Sequence, residues 1–419
     1  MASASAGDTS YEHAVQGWAA HLRAGGTTPW SAWPRSSAAE RRDPPRLRPL
    51  PDAIHLELVR RINLAAERDA GGLVGAGLDA RGLAARELDA RGLDGGGLAG
   101  LADRVFATAA PGRGLLDVPL PWPTAPRRFG TPAVDPSELP DEELIRLAVG
   151  VLAHLLPDVP RQMPQELPSP WPAPWRRRFR LHGAPSTVAA VRRSLLAQGH
   201  VETDWRPTHV VIARPVEVMM AEHWSAAVRN GGILKWSTTW RRAEAAGRLP
   251  AAIDVTATAH RLQGRRREPL HLVIARDADG AAALVAHVLR ARHAEILSSG
   301  DAALSDLLRR LNRLTALAHG PGRVRDLAGT LVALLDEDPA DAATHDVAML
   351  VTPPASLPWA REVAATAAVD LRCAGYAVHG DPDALAPTEH RLPGNVDRER
   401  TLELAVAACL RTWPLGGKR

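Results

Sequence analysis

Two short runs near the middle of the chain join a strand-like segment to a helix-like one through residues able to hold an anion. In the first, Leu181-His182-Gly183-Ala184-Pro185-Ser186-Thr187, a Gly/Pro turn places hydroxyls at a helix start. Such a turn aims backbone N–H groups and the positive end of a helix at a phosphate or sulfate. A loop that transfers such a group would add a lysine. The chain holds only Lys235 and Lys418, both far away in sequence. The simpler alternative is that Ser186 or Thr187 caps the helix. The second run is His209 to Ala213, followed by Arg214 and Pro215. An arginine at the carboxyl end of a parallel strand stands where ligands bind in open α/β sheets, and it can grip a phosphate with two parallel bonds. Equally, it can make a structural salt bridge to Glu217 or Glu222.

Other combinations carry less. Glu222 and His223 invite an acid–base reading. Adjacent residues on a helix point about 100° apart, however, so surface polarity is the better expectation. There is no Gly-x-Ser-x-Gly turn for a hydrolase nucleophile, no Cys-x-x-Cys pair and no His-Glu-x-x-His, and no metal site is expected. The two cysteines, Cys373 and Cys409, lie in helical stretches and read as buried, reduced thiols rather than a disulfide framework.

The elements that must position these residues alternate from Phe179 onward. Strands are expected at 179–182, 209–213 and 270–275. Helices are expected at 187–198, 216–229, 236–246, 255–262 and 281–293, and the remainder to the end is expected to be helical. β-Branched strands followed by helices predict α/β architecture: a three-layer parallel sheet flanked by helices, with a mainly helical N-terminal region. The expected segments are a helical stretch over 1–70, a low-complexity insertion over 71–101, a Pro-rich region with one helix and a linker over 102–176, and an α/β domain with a helical C-terminal part over 177–419. The insertion repeats every five residues, as in Gly77-Leu78-Asp79-Ala80-Arg81, and reads as a mobile segment.

Composition limits the classes. The chain has 419 residues, 45% of them hydrophobic, and a formal net charge of +4. No apolar run approaches the ~18–20 residues needed to span a bilayer. The first residues lack a signal-peptide pattern, so a cytoplasmic location is expected. So small a net charge argues against nucleic acid. The runs Arg176-Arg177-Arg178 and Arg265-Arg266-Arg267 leave an arginine-rich nucleic-acid or acidic-surface binder as an alternative.

Residues 179–387 resemble the sulfotransferases found in actinobacteria. Four segments carry the likeness: the 181–187 loop; Val210-Val211-Ile212-Ala213-Arg214 with its following helix; Leu307-Leu308-Arg309-Arg310-Leu311-Asn312; and the closing run from Ala374-Gly375-Tyr376 through Gly380-Asp381-Pro382 to Pro387. The resemblance implies a P-loop-like fold, with 3′-phosphoadenylyl sulfate as cofactor if the protein is active. It implies a cofactor site at His182, Gly183, Ser186, Thr187 and Arg214. The departures are chemical. The family's loop lysine and following glycine are replaced within Ser186-Thr187-Val188, and its serine eight residues beyond the arginine falls on Glu222. The segment that would carry the base is reduced to residues 199–208, leaving His200 and Glu202 as candidate bases, with Lys235 from a separate loop as a candidate for charge. A positioned base is worth ~10²–10⁴-fold and a lost donor costs ~10²–10³-fold. The expectation is therefore a degenerate, non-catalytic binding or scaffold module. Its expected partner is a nucleotide, another phosphorylated small molecule or a protein. The alternative is an active sulfotransferase acting on a carbohydrate or glycolipid hydroxyl.

Overall fold

A computed structural model describes residues 3–33, 51–75, 95–109, 120–121, 133–160, 177–263, 269–296, 301–336, 350–388 and 396–416. In chain order the longer elements are α1 (Ser3–Arg23), α2 (Ala53–Gly75), α3 (Gly95–Ala107), α4 (Asp141–Leu155), β1 (Arg178–Gly183), α5 (Pro185–Ala197), β2 (Val201–Glu202), β3 (Thr208–Ala213), α6 (Val216–Arg229), α7 (Trp236–Ala245), α8 (Val255–Gln263), β4 (Leu270–Ile274), α9 (Ala278–Leu289), α10 (Ala302–Thr315), α11 (Pro321–Asp336), α12 (Leu357–Cys373), β5 (Ala377–Gly380) and α13 (Arg398–Gly416). They form an α/β fold with a helical N-terminal region.

The chain divides into two compact units, each discontinuous in sequence. One contains 1–162, 310–343 and 398–419, and the other 163–309 and 344–397. Two stretches of the 177–419 segment, 310–343 and 398–419, group with the N-terminal helices in this division. The middle of the period-five repeat, the Pro/Trp linker and Arg265-Arg266-Arg267 lie outside the described residues. At the margins of the expected insertion, α2 runs on to Gly75 and α3 begins at Gly95.

The helical unit is built on amphipathic faces. On α1, Val15, Trp18, Ala19 and Leu22 are buried at the i, i+3, i+4, i+7 spacing of one helix face. The indoles find polar partners where the chain turns: Trp18 Nε1 donates to the Thr28 carbonyl at 2.9 Å and Trp33 Nε1 to that of Ala14 at 3.2 Å. Asp52 caps α2, its Oδ1 accepting the N–H groups of Ile54 and His55. His55 reaches the same carboxylate through Nδ1 at 2.6 Å and the Thr108 carbonyl through Nε2 at 2.7 Å. Both ring nitrogens therefore face acceptors. Burial works against the charged ring, yet the Asp52 carboxylate and the Thr108 carbonyl outweigh it and raise the pKa above the ordinary histidine value. α4 and α13 pack along each other. Cys409 is buried there against the Ala148 carbonyl, and burial pushes its thiol up to about 12. Cys373, expected to be buried, is instead exposed at the end of α12.

The other unit centres on a five-stranded, all-parallel sheet in the order β2-β1-β3-β4-β5. β3 and β4 are central and read as nearly continuous apolar runs because both of their faces are covered. On one face Phe179, Leu181, Val210, Ile212 and Val273 pack against Val191 and Leu195 of α5 and Val285, Val288 and Leu289 of α9. The opposite face turns Val211, Ala213, Leu272 and Ile274 inward, and α8 packs on β3 and β4. β2 and β5, with two and four residues, were not anticipated from sequence. Two strand-end glycines have structural work. Gly183 and Gly380 adopt positive φ, and a Cβ at either would overlap the carbonyl oxygen of Ile212 or Ile274 on the neighbouring strand.

Candidate functional site

The strand order fixes where a ligand crevice belongs. From β1 the chain moves outward to β2, then crosses back to β3 on the other side of β1. The carboxyl ends of β1 and β3 therefore flank a topological switch point. His182 and Gly183 end β1, and Arg214 follows β3, so both sequence runs arrive at this place.

Thr187 and Arg214 meet there, through Glu222. The Thr187 hydroxyl donates to the Glu222 carboxylate, at 2.7 and 2.9 Å from its two oxygens. The Arg214 guanidinium ion-pairs with the same carboxylate and lies 3.4 Å from Thr187 Oγ1. The arginine side chain is 6% exposed and the glutamate side chain 0%, so the pair is closed to water. A carboxylate thus holds the position that an anionic ligand of Arg214 would take. This corrects two expectations. Glu222 is core rather than surface polarity, because it faces Arg214 across the helix start. Nor do Ser186 and Thr187 cap α5: the N-cap is Ala184, with no side-chain cap bond and Pro185 in the first turn. Thr187 is turned to Glu222, and Ser186 Oγ is buried without a partner. The salt bridge of Arg214 goes to Glu222, while Glu217 accepts the Thr388 N–H at 2.7 Å.

His182 and Gly183 line a different space. A cavity of about 370 Å³ lies beside the end of β1, bounded also by Val188, Arg192, Thr258 and Arg261. A second cavity, also about 370 Å³, shares Ala251, Thr258 and Arg261 with it and adds His223, Arg242 and Arg248. Arg242, Arg248 and Arg261 are exposed. Arg261 touches the buried Thr258 hydroxyl at 3.3 Å. Burial holds His223 below the ordinary histidine value, so it is neutral at pH 7. His182 Nε2 lies 3.0 Å from His209 Nδ1, with the rings stacked.

The catalytic candidates are occupied or elsewhere. Glu202 is held by Arg192 in a two-bond pair at 2.7 and 3.0 Å, so it is no free base. Lys235 is exposed at the N-cap of α7. His200 sits in the turn before β2, its N–H donating to the Leu195 carbonyl. None of the three lines the cavity beside His182. Among the described residues, no group of three or more His, Cys, Asp or Glu is placed to hold a metal ion, and no helix is long and apolar enough to cross a membrane.

Arg192, Thr258 and Arg261 escaped the sequence reading because they come from two helices that no motif links. No local spacing in the sequence marked them. Comparison of the chain with models of protein families, with characterised proteins and with solved structures returns no match.

Proposed function

We propose that the chain is a non-catalytic binding module on a sulfotransferase-like frame, one whose anion cradle is filled by its own carboxylate. The buried Arg214–Glu222–Thr187 cluster carries this reading. A phosphate or sulfate brought to Arg214 would meet the Glu222 carboxylate, and separating a buried ion pair costs about 3–5 kcal/mol. Two further features support loss of chemistry: Glu202 is paired, and the loop carries Ser186-Thr187 where a transferring loop needs an ammonium. The ligand we assign is a nucleotide or other phosphorylated small molecule. It would lie in the adjoining cavities, with His182 and Gly183 at one wall and Arg242, Arg248 and Arg261 supplying charge.

Titration calorimetry with 3′-phosphoadenosine 5′-phosphate and a sulfuryl-transfer assay test the reading together. The unmodified protein is expected to transfer no sulfuryl group, and Arg261→Ala is expected to weaken nucleotide binding. Glu222→Ser frees Arg214 and is expected to tighten binding. Transfer by the unmodified protein, or looser binding by Glu222→Ser with its fold intact, would reverse the assignment.

A further inference from the structure

At the opposite, amino end of the sheet lies a cavity of about 620 Å³, walled by Arg177, His271, Ala286, His287, Val288, Arg290, Ala291 and His379. Its five polar walls are all basic, and among the described residues no carboxylate lines it. The basic groups come from four separate places: Arg177 from the residue before β1, His271 from β4, His379 from β5, and His287 and Arg290 from the end of α9. Their convergence follows from register. Leu181, Val210 and His271 are consecutive partners across β1, β3 and β4, so His271 faces α9 with the rest of that layer. Val273 pairs with His379, which puts the second ring on the same face. The volume suits a small metabolite.

The two histidines are joined. His271 Nδ1 lies 2.9 Å from His379 Nε2. One nitrogen donates the shared hydrogen and the other accepts it, so the pair is satisfied with one ring acting as acceptor. A further proton is taken up on the ring nitrogen outside the shared bond, which leaves the bridge intact and adds one positive charge beside Arg177 and Arg290. Among the described residues no carboxylate lines the cavity to balance that charge, and a bound anion would do so. Burial, and secondarily the charge of His379, keep His271 below the ordinary histidine value.

We propose that this cavity binds the phosphate or sulfate group of a small soluble molecule and that it fills with uptake of a proton by the His271–His379 pair. The arginines supply permanent charge. The histidine pair adds a charge that exists only when the dianion is present or the pH is low. The site is separate from the Arg214 cluster and does not depend on the function proposed above.

Inorganic sulfate is the appropriate probe because it remains a dianion from about pH 6 to about pH 8, so any pH dependence belongs to the protein. Calorimetric titrations at matched ionic strength should show sulfate binding about tenfold tighter at the lower pH. Two buffers of different protonation enthalpy should report proton uptake. Arg290→Gly should weaken binding at both pH values and leave the fold intact, since Arg290 sits at φ 50°, a conformation that suits glycine. His379→Asn should flatten the pH dependence. The proposal is overturned by absence of sulfate binding, by affinity that does not change with pH, or by unchanged affinity in Arg290→Gly. Capture on phosphatidic acid vesicles without binding of soluble sulfate would instead assign the basic cluster to a lipid surface.

Discussion

The two ends of the sheet treat arginine in opposite ways. At the carboxyl end, Arg214 is buried and neutralised by Glu222, with Thr187 completing the cluster. At the amino end, Arg177 and Arg290 stand with three histidines around an open cavity that no described carboxylate lines. The first arrangement is closed and structural, the second open and electrically unbalanced. The position beside Arg214 at the switch point has thus been sealed from within, whereas the basic groups at the amino end stand around an open cavity. An arginine's chemistry is therefore set by whether a carboxylate accompanies it into the fold, not by the end of the strand on which it lies.

The largest effect should come from breaking the sealed end. Glu222→Ala leaves Arg214 buried and unpaired, which should lower stability by about 3–5 kcal/mol in urea melts. Replacing both partners with apolar residues, as Arg214→Met with Glu222→Leu, should recover most of that loss. A single substitution costing under about 1 kcal/mol would place the pair in the weak, solvent-screened class and erase the contrast.

Next in size is a histidine in the helical unit that behaves in the opposite sense to His271. Asp52→Asn keeps the cap on α2 and removes the charge opposite His55. A loss of about 1–2 kcal/mol below neutral pH is expected. Because folding raises the pKa of His55, its stabilisation is full below about pH 6.5 and disappears as pH rises through the folded value. His271 is lowered on folding, so its unfolded form takes up a proton first, and stability falls as pH drops from about 6.5 toward the folded value. Thermal melts of His55→Asn and His271→Asn across this range should therefore flatten opposite limbs of the pH profile. Excess sulfate should remove the acid-side limb only.

The smallest effect sharpens the open end. Arg290 occupies the left-handed region at the end of α9, where glycine costs least. Arg290→Gly should raise stability by about 0.5–1 kcal/mol in chemical denaturation. A gain in stability beside a loss of anion binding would mark a strained residue kept for its charge.

Much of the framework was legible in the residues. β3 announces itself because Val210, Val211 and Ile212 are apolar on both faces, and α5 because Val188, Val191 and Leu195 share one face. The short strands were not legible, since neither Val201-Glu202 nor Ala377–Gly380 is long enough to show a period. The members of the sealed site were visible as Thr187, Arg214 and Glu222, but their mutual pairing was not. It depends on how α5 and α6 leave two adjacent strands. The amino-end cavity gave no local signal at all. Arg177, His271, His287, Arg290 and His379 become neighbours through strand register and the return of α9, and no sequence spacing encodes either.

The interleaving of the two units bears on how the protein is made. The helical unit begins with α1, is interrupted by the parallel sheet, and resumes with the end of α10, α11 and α13. During synthesis from the amino end, Leu144, Ile145 and Val151 of α4 emerge long before Leu402, Val406 and Cys409 of α13 exist to cover them. The α13-facing side of α4 must therefore wait uncovered for the last helix described to leave the ribosome, a delay during which a chaperone has something to hold.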